Sequence, residues 1–317
     1  MRIVMLEPLG ITRELALKLA EPIKTAGHEF IYYDNRPEEK KEIIARSKEA
    51  DILIASNIPL DKEVLEQCPQ LQMISVAFTG VDHIDMEYCR NHDITVSNSS
   101  GYANQAVAEL VIGLIISLKR DLITSNQQVR QQATGKELVG QELKGKKFGI
   151  IGTGDIGLET AKLAKAFGCE LLGYSRSERS EAEELGIKYM TLTELLEESD
   201  IISLHVPLTR ETEGLLGQEE IKKMKSSAIL INAARGPVVD SKALAQALRE
   251  DKLAGAGIDV FEQEPPIPED HPLLNAPKVV ATPHIGYATR EAFQKRAKIV
   301  FDNIEKWLAG EAQNVMN

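Results

Sequence analysis

The sequence predicts an α/β protein of two lobes, one built on a doubly wound parallel sheet and the other a smaller, discontinuous α/β unit. Three observations lead there. Short runs rich in Ile, Val and Leu alternate with helix-forming stretches along the whole chain. One such run, Phe148–Ile151, ends directly in Gly152-Thr-Gly154-Asp-Ile-Gly157, and helix formers follow from Leu158 to Phe167. The chain has 317 residues, enough for two separate cores.

The first lobe takes its strands from Arg2–Leu6, Glu29–Tyr33, Ile52–Ala55, Met73–Ala77 and Ile94–Ser97, with helices such as Thr12–Ala26 and Glu38–Lys48 between them. It reads as a flavodoxin-like unit. The character changes at Asn98-Ser-Ser-Gly-Tyr. Ala103–Lys119 then reads as a long helix, apolar around most of its circumference and therefore buried. The second lobe is Rossmann-like, with six strands: Phe148–Ile151, Leu171–Tyr174, Ile201–His205, Ile229–Asn232, Gly255–Val260 and Val279–Thr282. A closing helix, Arg290–Leu308, carries the only tryptophan, Trp307. A cofactor unit in mid-chain implies a discontinuous partner. Residues 1–98 with 287–317 are expected to form a substrate domain and 99–286 a dinucleotide-binding domain, with hinges near Asn98 and Tyr287 and the substrate in a cleft between the lobes.

Composition narrows the function. With 43% hydrophobic and 27% charged residues the chain is an ordinary globular one. A net charge of −11 argues against nucleic acid or an anionic membrane as partner, and requires a local basic site for any anionic substrate. Cys68, Cys89 and Cys169 are scattered without a paired motif, which points to a reducing, cytoplasmic setting and away from disulfides or zinc. The N-terminus lacks the features of a signal peptide, and no run approaches the length of a membrane span.

The glycine segment has the chemistry of a dinucleotide site. Gly152 makes the tight turn, Gly154 lets backbone approach a pyrophosphate, and Gly157 lets the helix pack close on the strand. The helix N-terminus directs free N–H groups at the phosphates. The following strand ends in Ser175-Arg176-Ser177, where an NAD site usually carries a carboxylate for the ribose 2′-OH. A carboxylate there would repel a 2′-phosphate, whereas Arg176 pairs with it and the serines add hydrogen bonds. The expected cofactor is NADP(H), with NAD(H) possible. The competing reading makes Arg176 a solvated loop residue and gives the ribose to Glu178.

Three further segments fall at strand ends of the second lobe: Asn232-Ala-Ala-Arg235-Gly-Pro, Asp259-Val-Phe-Glu-Gln-Glu264-Pro and Thr282-Pro-His284-Ile-Gly286. Reduction of a 2-oxo acid needs a cation for the carboxylate and carbonyl, and an acid for the new alkoxide. Arg235 suits the first role through its planar fork, and His284 the second as a group that titrates near neutrality. Glu264 would orient the ring and favour its charged form. Taken singly, each has a bland alternative as a surface ion pair or loop residue; together with the glycine turn they form a pattern.

At these residues the chain resembles the D-isomer-specific 2-hydroxyacid dehydrogenase family over essentially its full length. The matching motifs are the glycine turn, His205-Val-Pro-Leu-Thr209 with Thr212, Asn232–Asp240, Gly257–Pro265 and Thr282–Gly286. The resemblance implies that Arg235 binds the substrate carboxylate and carbonyl, that His284 is the general acid/base, and that Glu264 is its partner. It places Asp259 near the nicotinamide carboxamide and assigns Asp155, Ile156, His205, Val206, Pro207, Thr212, Ala233 and Gly286 to the cofactor. It implies a homodimer built through the helix near Val107–Arg120 and the arm after it. In similar enzymes the loop Ala77-Phe78-Thr79-Gly80 offers N–H groups to the substrate carboxylate. Glycine is common where Phe78 stands, and phosphoglycerate dehydrogenases carry arginine where Val76 stands. Val76 cannot pair with a phosphate, Phe78 narrows the pocket and makes it more apolar, and the chain ends at Asn317 without room for the regulatory domain of many phosphoglycerate dehydrogenases. The expected substrate is therefore a small unphosphorylated 2-oxo acid such as glyoxylate or hydroxypyruvate, reduced to the D-hydroxy acid.

Two readings of other kinds stand beside this one: a nucleotide-sensing module of the corepressor type, and phosphoglycerate dehydrogenase. Formate dehydrogenases, which share the fold, have Gln where Glu264 stands; phosphite oxidation is compatible with the three residues. No metal is expected. His83, in Val81-Asp-His-Ile-Asp85, reads as part of a turn that caps the next helix, and His28, His92 and His271 as surface loops.

Overall fold

A computed structural model of the chain describes residues 1–132, 138–264 and 266–317. These divide into two compact units, Met1–Ala103 with Ala288–Asn317, and Asn104–Tyr287. The first crossing lies five residues beyond the expected Asn98, because 98–103 is tied into the first unit. Asn98 Nδ2 donates to Thr79 O, and Ser99 donates through N to Phe78 O and through Oγ to Val76 O.

The first unit holds β1 (Arg2–Met5), β2 (Glu29–Tyr32), β3 (Ile52–Ala55), β4 (Met73–Val76) and β5 (Thr95–Ser97), all parallel in the order β2-β1-β3-β4-β5. That order is the flavodoxin-like one. Side chains alternate between two faces, and both faces are buried. Ile3, Met5, Ile52 and Ile54 pack with Ala16, Ile23, Val300 and Phe301. Val4, Leu6, Leu53 and Ile74 pack with Ile43, Val64 and Cys89. The closing helix Arg290–Leu308 is pinned to the sheet by Ser75 Oγ donating to Val300 O at 3.0 Å and Trp307 Nε1 donating to Thr95 Oγ1 at 3.1 Å. The helix expected over Thr12–Ala26 is broken into Arg13–Leu19 and Glu21–Thr25. Pro22 has no N–H for the carbonyl of Lys18, so the second helix starts afresh with proline in its first turn.

The second unit holds β6 (Lys147–Ile151), β7 (Glu170–Tyr174), β8 (Lys188–Tyr189), β9 (Ile201–Leu204), β10 (Ile229–Asn232), β11 (Gly255–Ile258) and β12 (Val279–Ala281), parallel in the order β12-β11-β10-β9-β6-β7-β8. There are seven strands instead of six. β8 has two residues, too few to show any periodicity in sequence. The sheet is doubly wound from β6, and the order reverses between β6 and β9. The long helix spans Asn104–Lys119 and buries Val107, Val111, Leu114 and Ile115. It lies close on β11, where a Cβ on Gly257 would stand 3.0 Å from that of Leu114.

Candidate active site

Because every strand of the second unit runs the same way, the residues that follow them gather along one edge. Gly152 follows β6, Ser175 follows β7, His205 follows β9, Arg235 lies three residues past β10, Asp259 follows β11, and His284 lies three past β12. Ligands of open α/β sheets bind at this edge, beside the point where strand order reverses.

The glycine turn sits at that point. Gly152 has φ +98° and donates to Tyr174 O; a Cβ there would meet His205 O at 2.5 Å. A Cβ on Gly157 would strike Gly152 O, so the helix Asp155–Ala166 can approach the turn only with glycine there. Gly154 differs: a Cβ would meet nothing within 4 Å, so no packing inside the protein demands a glycine. Its lack of a side chain leaves an exposed approach at the start of a 12-residue helix whose first turn holds Asp155 and Ile156. These residues fit a dinucleotide pyrophosphate.

Next along the edge, His205 is bonded through Nε2 to Ser203 Oγ at 2.9 Å, and burial pushes its imidazole down to about 4. It is neutral at physiological pH. Val206 and Pro207 continue into a loop closed by Thr212, whose Oγ1 donates to Pro207 O at 2.6 Å and accepts from Thr209 N at 2.8 Å. Ser175 is half-buried, while Arg176 and Ser177 are exposed. Arg176 acts on Glu211, whose carboxyl is lowered chiefly by its hydrogen bond from Thr209 and to a lesser degree by the arginine.

The Arg235 loop is organised by a residue that the sequence reading passed over. Asn232, 2% exposed, donates through Nδ2 to Arg235 O at 3.0 Å and accepts at Oδ1 from Ala234 N at 3.1 Å, which also fixes Ala233 between them. Gly236 brings this loop against the next: a Cβ there would fall on the backbone of Phe261 and Glu262. Arg235 Nη1 donates to Ala234 O at 2.8 Å.

Asp259 and His284 complete the edge. Asp259 is 1% exposed, and its carboxylate accepts from Thr282 Oγ1 at 2.5 Å, Ile285 N at 2.9 Å and Gly286 N at 2.8 Å. Its carbonyl accepts from His284 N at 2.7 Å. This clasp holds His284 at φ +52°, a left-handed conformation uncommon for a residue with a Cβ. His284 Nδ1 lies 2.5 Å from Glu264 Oε2, and Glu264 Oε1 accepts from Phe261 N. The ring stands edge-on to Tyr287 at 5.6 Å. Pro265, the end of the Gly257–Pro265 motif, lies outside the described residues.

In the first unit, Ala77 N donates to Ala55 O, and Phe78 O and Thr79 O are taken by Ser99 and Asn98. Among the described residues, no backbone carbonyl accepts from the N–H of Thr79 or Gly80. Phe78 has company that its apolar character did not announce. The Arg296 guanidinium lies 5.1 Å from its ring, 4.7 Å from that of Phe293 and 5.6 Å from that of Tyr102. Arg296 is 3% exposed and donates through Nη2 to Leu9 O at 2.7 Å. The aromatic cluster around Phe78 therefore carries a cation. Val76, in contrast, lies in the core with 0% exposure. Of the other histidines, His83 passes its carbonyl to Leu60 N while Asp85 caps the helix Met86–Asn91. His271 is not a surface residue: it is buried, bonded to Glu262 Oε2 at 2.7 Å and set edge-on against Phe261.

Fold and site together define a nicotinamide-dependent oxidoreductase. The profile of the D-isomer specific 2-hydroxyacid dehydrogenase NAD binding domain matches residues 112–286. A glyoxylate reductase of Korarchaeum cryptofilum is 39% identical over 311 residues, 95% of this chain and 92% of that protein. A D-3-phosphoglycerate dehydrogenase of Methanocaldococcus jannaschii is 40% identical over 283 residues, 88% of this chain and 54% of that one. Among solved structures, an acyclic imino acid reductase in complex with NADPH and D-Arg superposes with a TM-score of 0.89 at 30% identity, covering 100% of both chains. The chain belongs to the D-isomer-specific 2-hydroxyacid dehydrogenase family.

Proposed function

We propose that this enzyme reduces a small, unphosphorylated 2-oxo acid, glyoxylate or hydroxypyruvate in the first instance, to the D-2-hydroxy acid, with NADPH preferred over NADH. The observation that carries the reading is the His284–Glu264 pair at 2.5 Å, on the same sheet edge as the glycine turn. A nicotinamide cofactor, when bound, would supply the hydride. Arg235 pairs with the substrate carboxylate and polarises the carbonyl. His284 gives its Nε2 proton to the developing alkoxide. With Nδ1 engaged by Glu264, Nε2 is the nitrogen left for the substrate. Asp259 holds the His284 loop, and the family resemblance assigns it to the carboxamide. A phosphorylated substrate is disfavoured because Val76 brings no charge and lies in the core.

Homodimerisation through Asn104–Lys119 and the following arm fits the exposed Leu122, Ile123 and Val129, which are 46%, 52% and 71% exposed. Residues 133–137 of that arm lie outside the described residues. Among the described residues no helix is long and apolar enough to cross a membrane; the three scattered, unpaired cysteines are what fit a cytoplasmic setting. Initial rates of NADPH and NADH oxidation with glyoxylate, hydroxypyruvate, pyruvate, 2-oxoisocaproate and 3-phosphohydroxypyruvate test the substrate class. Fastest turnover of the phosphorylated acid would overturn it.

A further inference from the structure

Arg179, five residues beyond the end of β7, is held in two ways. Its backbone N donates to Tyr189 Oη at 3.2 Å, and that hydroxyl lies 2.7 Å from Thr153 Oγ1. Thr153 is the buried residue between the first two glycines of the turn, so the two-residue edge strand β8 ties the 175–179 loop to the glycine turn. The side chain of Arg179 then reaches the other side of the turn: Nη1 lies 2.8 Å from Asp155 Oδ1, and Nε 3.6 Å from Glu181 Oε2. Asp155 is the first residue of the helix that begins at the turn. The two arginines of this loop thus differ. Arg176 is exposed, and Arg179 is already paired with a carboxylate at the phosphate-binding end of the helix.

We infer that Asp155 is a built-in competitor for Arg179, and that exchange of Arg179 between Asp155 and a ribose 2′-phosphate sets how strongly this site discriminates NADPH from NADH. The inference rests on the cofactor reading above. Asp155 and Arg179 are 59% and 36% exposed, so their pair is screened and readily exchanged. A phosphate carries more charge and more acceptor oxygens than a carboxylate and can displace it; a 2′-hydroxyl cannot. NADPH therefore has to break the Asp155 pair and leave an uncompensated carboxylate beside the pyrophosphate, while NADH binds with the pair intact. Asp155 restrains a preference for NADPH that the arginines would otherwise make larger.

Isothermal titration of the full chain with NADPH and NADH tests this without reference to turnover. In Asp155→Asn the ratio of the NADH to the NADPH dissociation constant should rise about tenfold, beyond any tightening common to both nucleotides. In Arg179→Met the ratio should fall about tenfold with NADH binding little changed, and the double variant should match Arg179→Met, because Asp155 acts through Arg179. Asp155 and Arg179 both lie outside the hydrophobic cores, so these changes leave the fold intact. Equal shifts for both nucleotides in Asp155→Asn would overturn the inference, as would a ratio that falls in Arg176→Met and stays fixed in Arg179→Met. In either case nucleotide binding would survive, and with it the cofactor reading. Binding of neither nucleotide by the unaltered chain would overturn both.

Discussion

Glu264 holds His284 by Nδ1, 2.5 Å from its own Oε2, and is itself oriented by the N–H of Phe261. The two residues come from loops after different strands, 20 positions apart in the chain, so their meeting is set by the register of β11 against β12. The carboxylate orients the ring and fixes which nitrogen faces away from it. Glu264→Gln keeps a hydrogen-bonding partner and removes the charge. Its kcat for oxo-acid reduction should fall about 10- to 100-fold, with KM within a factor of about three. Steady-state kinetics on the two proteins check this; an unchanged kcat would separate Glu264 from the chemistry.

Arg296 should act on the substrate through Phe78. Its guanidinium is stacked among Phe78, Tyr102 and Phe293, and cation–π contacts of this kind hold a ring in place. Arg296→Met keeps the bulk and loses the cation. KM for the oxo acid should rise about tenfold with kcat changed much less, and Arg296→Lys should recover part of the loss. A fall in kcat at constant KM would contradict a positioning role.

His205 makes stability depend on pH. Burial lowers its folded-state value from 6.5 to about 4. The unfolded chain therefore binds the proton first on acidification, and the contribution is complete above pH 6.5, declines below it, and is gone by about pH 4. Full burial would set the loss on the order of 3 kcal/mol, and the partly solvated ring makes it smaller. Denaturant titrations between pH 7.5 and 4 should show this slope reduced in His205→Gln. Equal slopes in both proteins would assign the acid sensitivity elsewhere.

The thiols should be inert. Cys68, Cys89 and Cys169 are buried, and burial raises each to about 11. At pH 8 the thiolate fraction is then about one in a thousand, behind a closed core. Ellman's reagent should label none of them in the native protein and all three in denaturant. Rapid native labelling would show that one of these cores opens.

The strands were legible because both faces of each sheet are buried, which leaves near-continuous apolar runs such as Ile52–Ala55 and Ile229–Asn232. The glycine turn was legible because strand, turn and helix adjoin in sequence. The Arg235, Glu264 and His284 segments were legible through where they fall, at the ends of parallel strands. What escaped was set by distance in the chain. Arg296 sits on a helix with no local sign that it faces Phe78, more than 200 residues away. The hold of Asn232 on the Arg235 loop and the clasp of Asp259 on residues 282–286 are contacts of side chains with backbone groups that composition does not encode. The two residues of β8 gave no periodic signal, yet Tyr189 there joins the glycine turn to Arg179. Pro22 was visible in the sequence and should have split the first helix.

The most direct test of the account is proton delivery by His284. NADPH oxidation with glyoxylate and with hydroxypyruvate would be followed for the unaltered chain and for His284→Gln, with NADPH binding measured on both. The account predicts turnover that falls at least about a thousandfold in the variant while nucleotide affinity stays within a factor of about three. Turnover that survives the substitution, or tight nucleotide binding with no turnover of either acid by the unaltered chain, would contradict it.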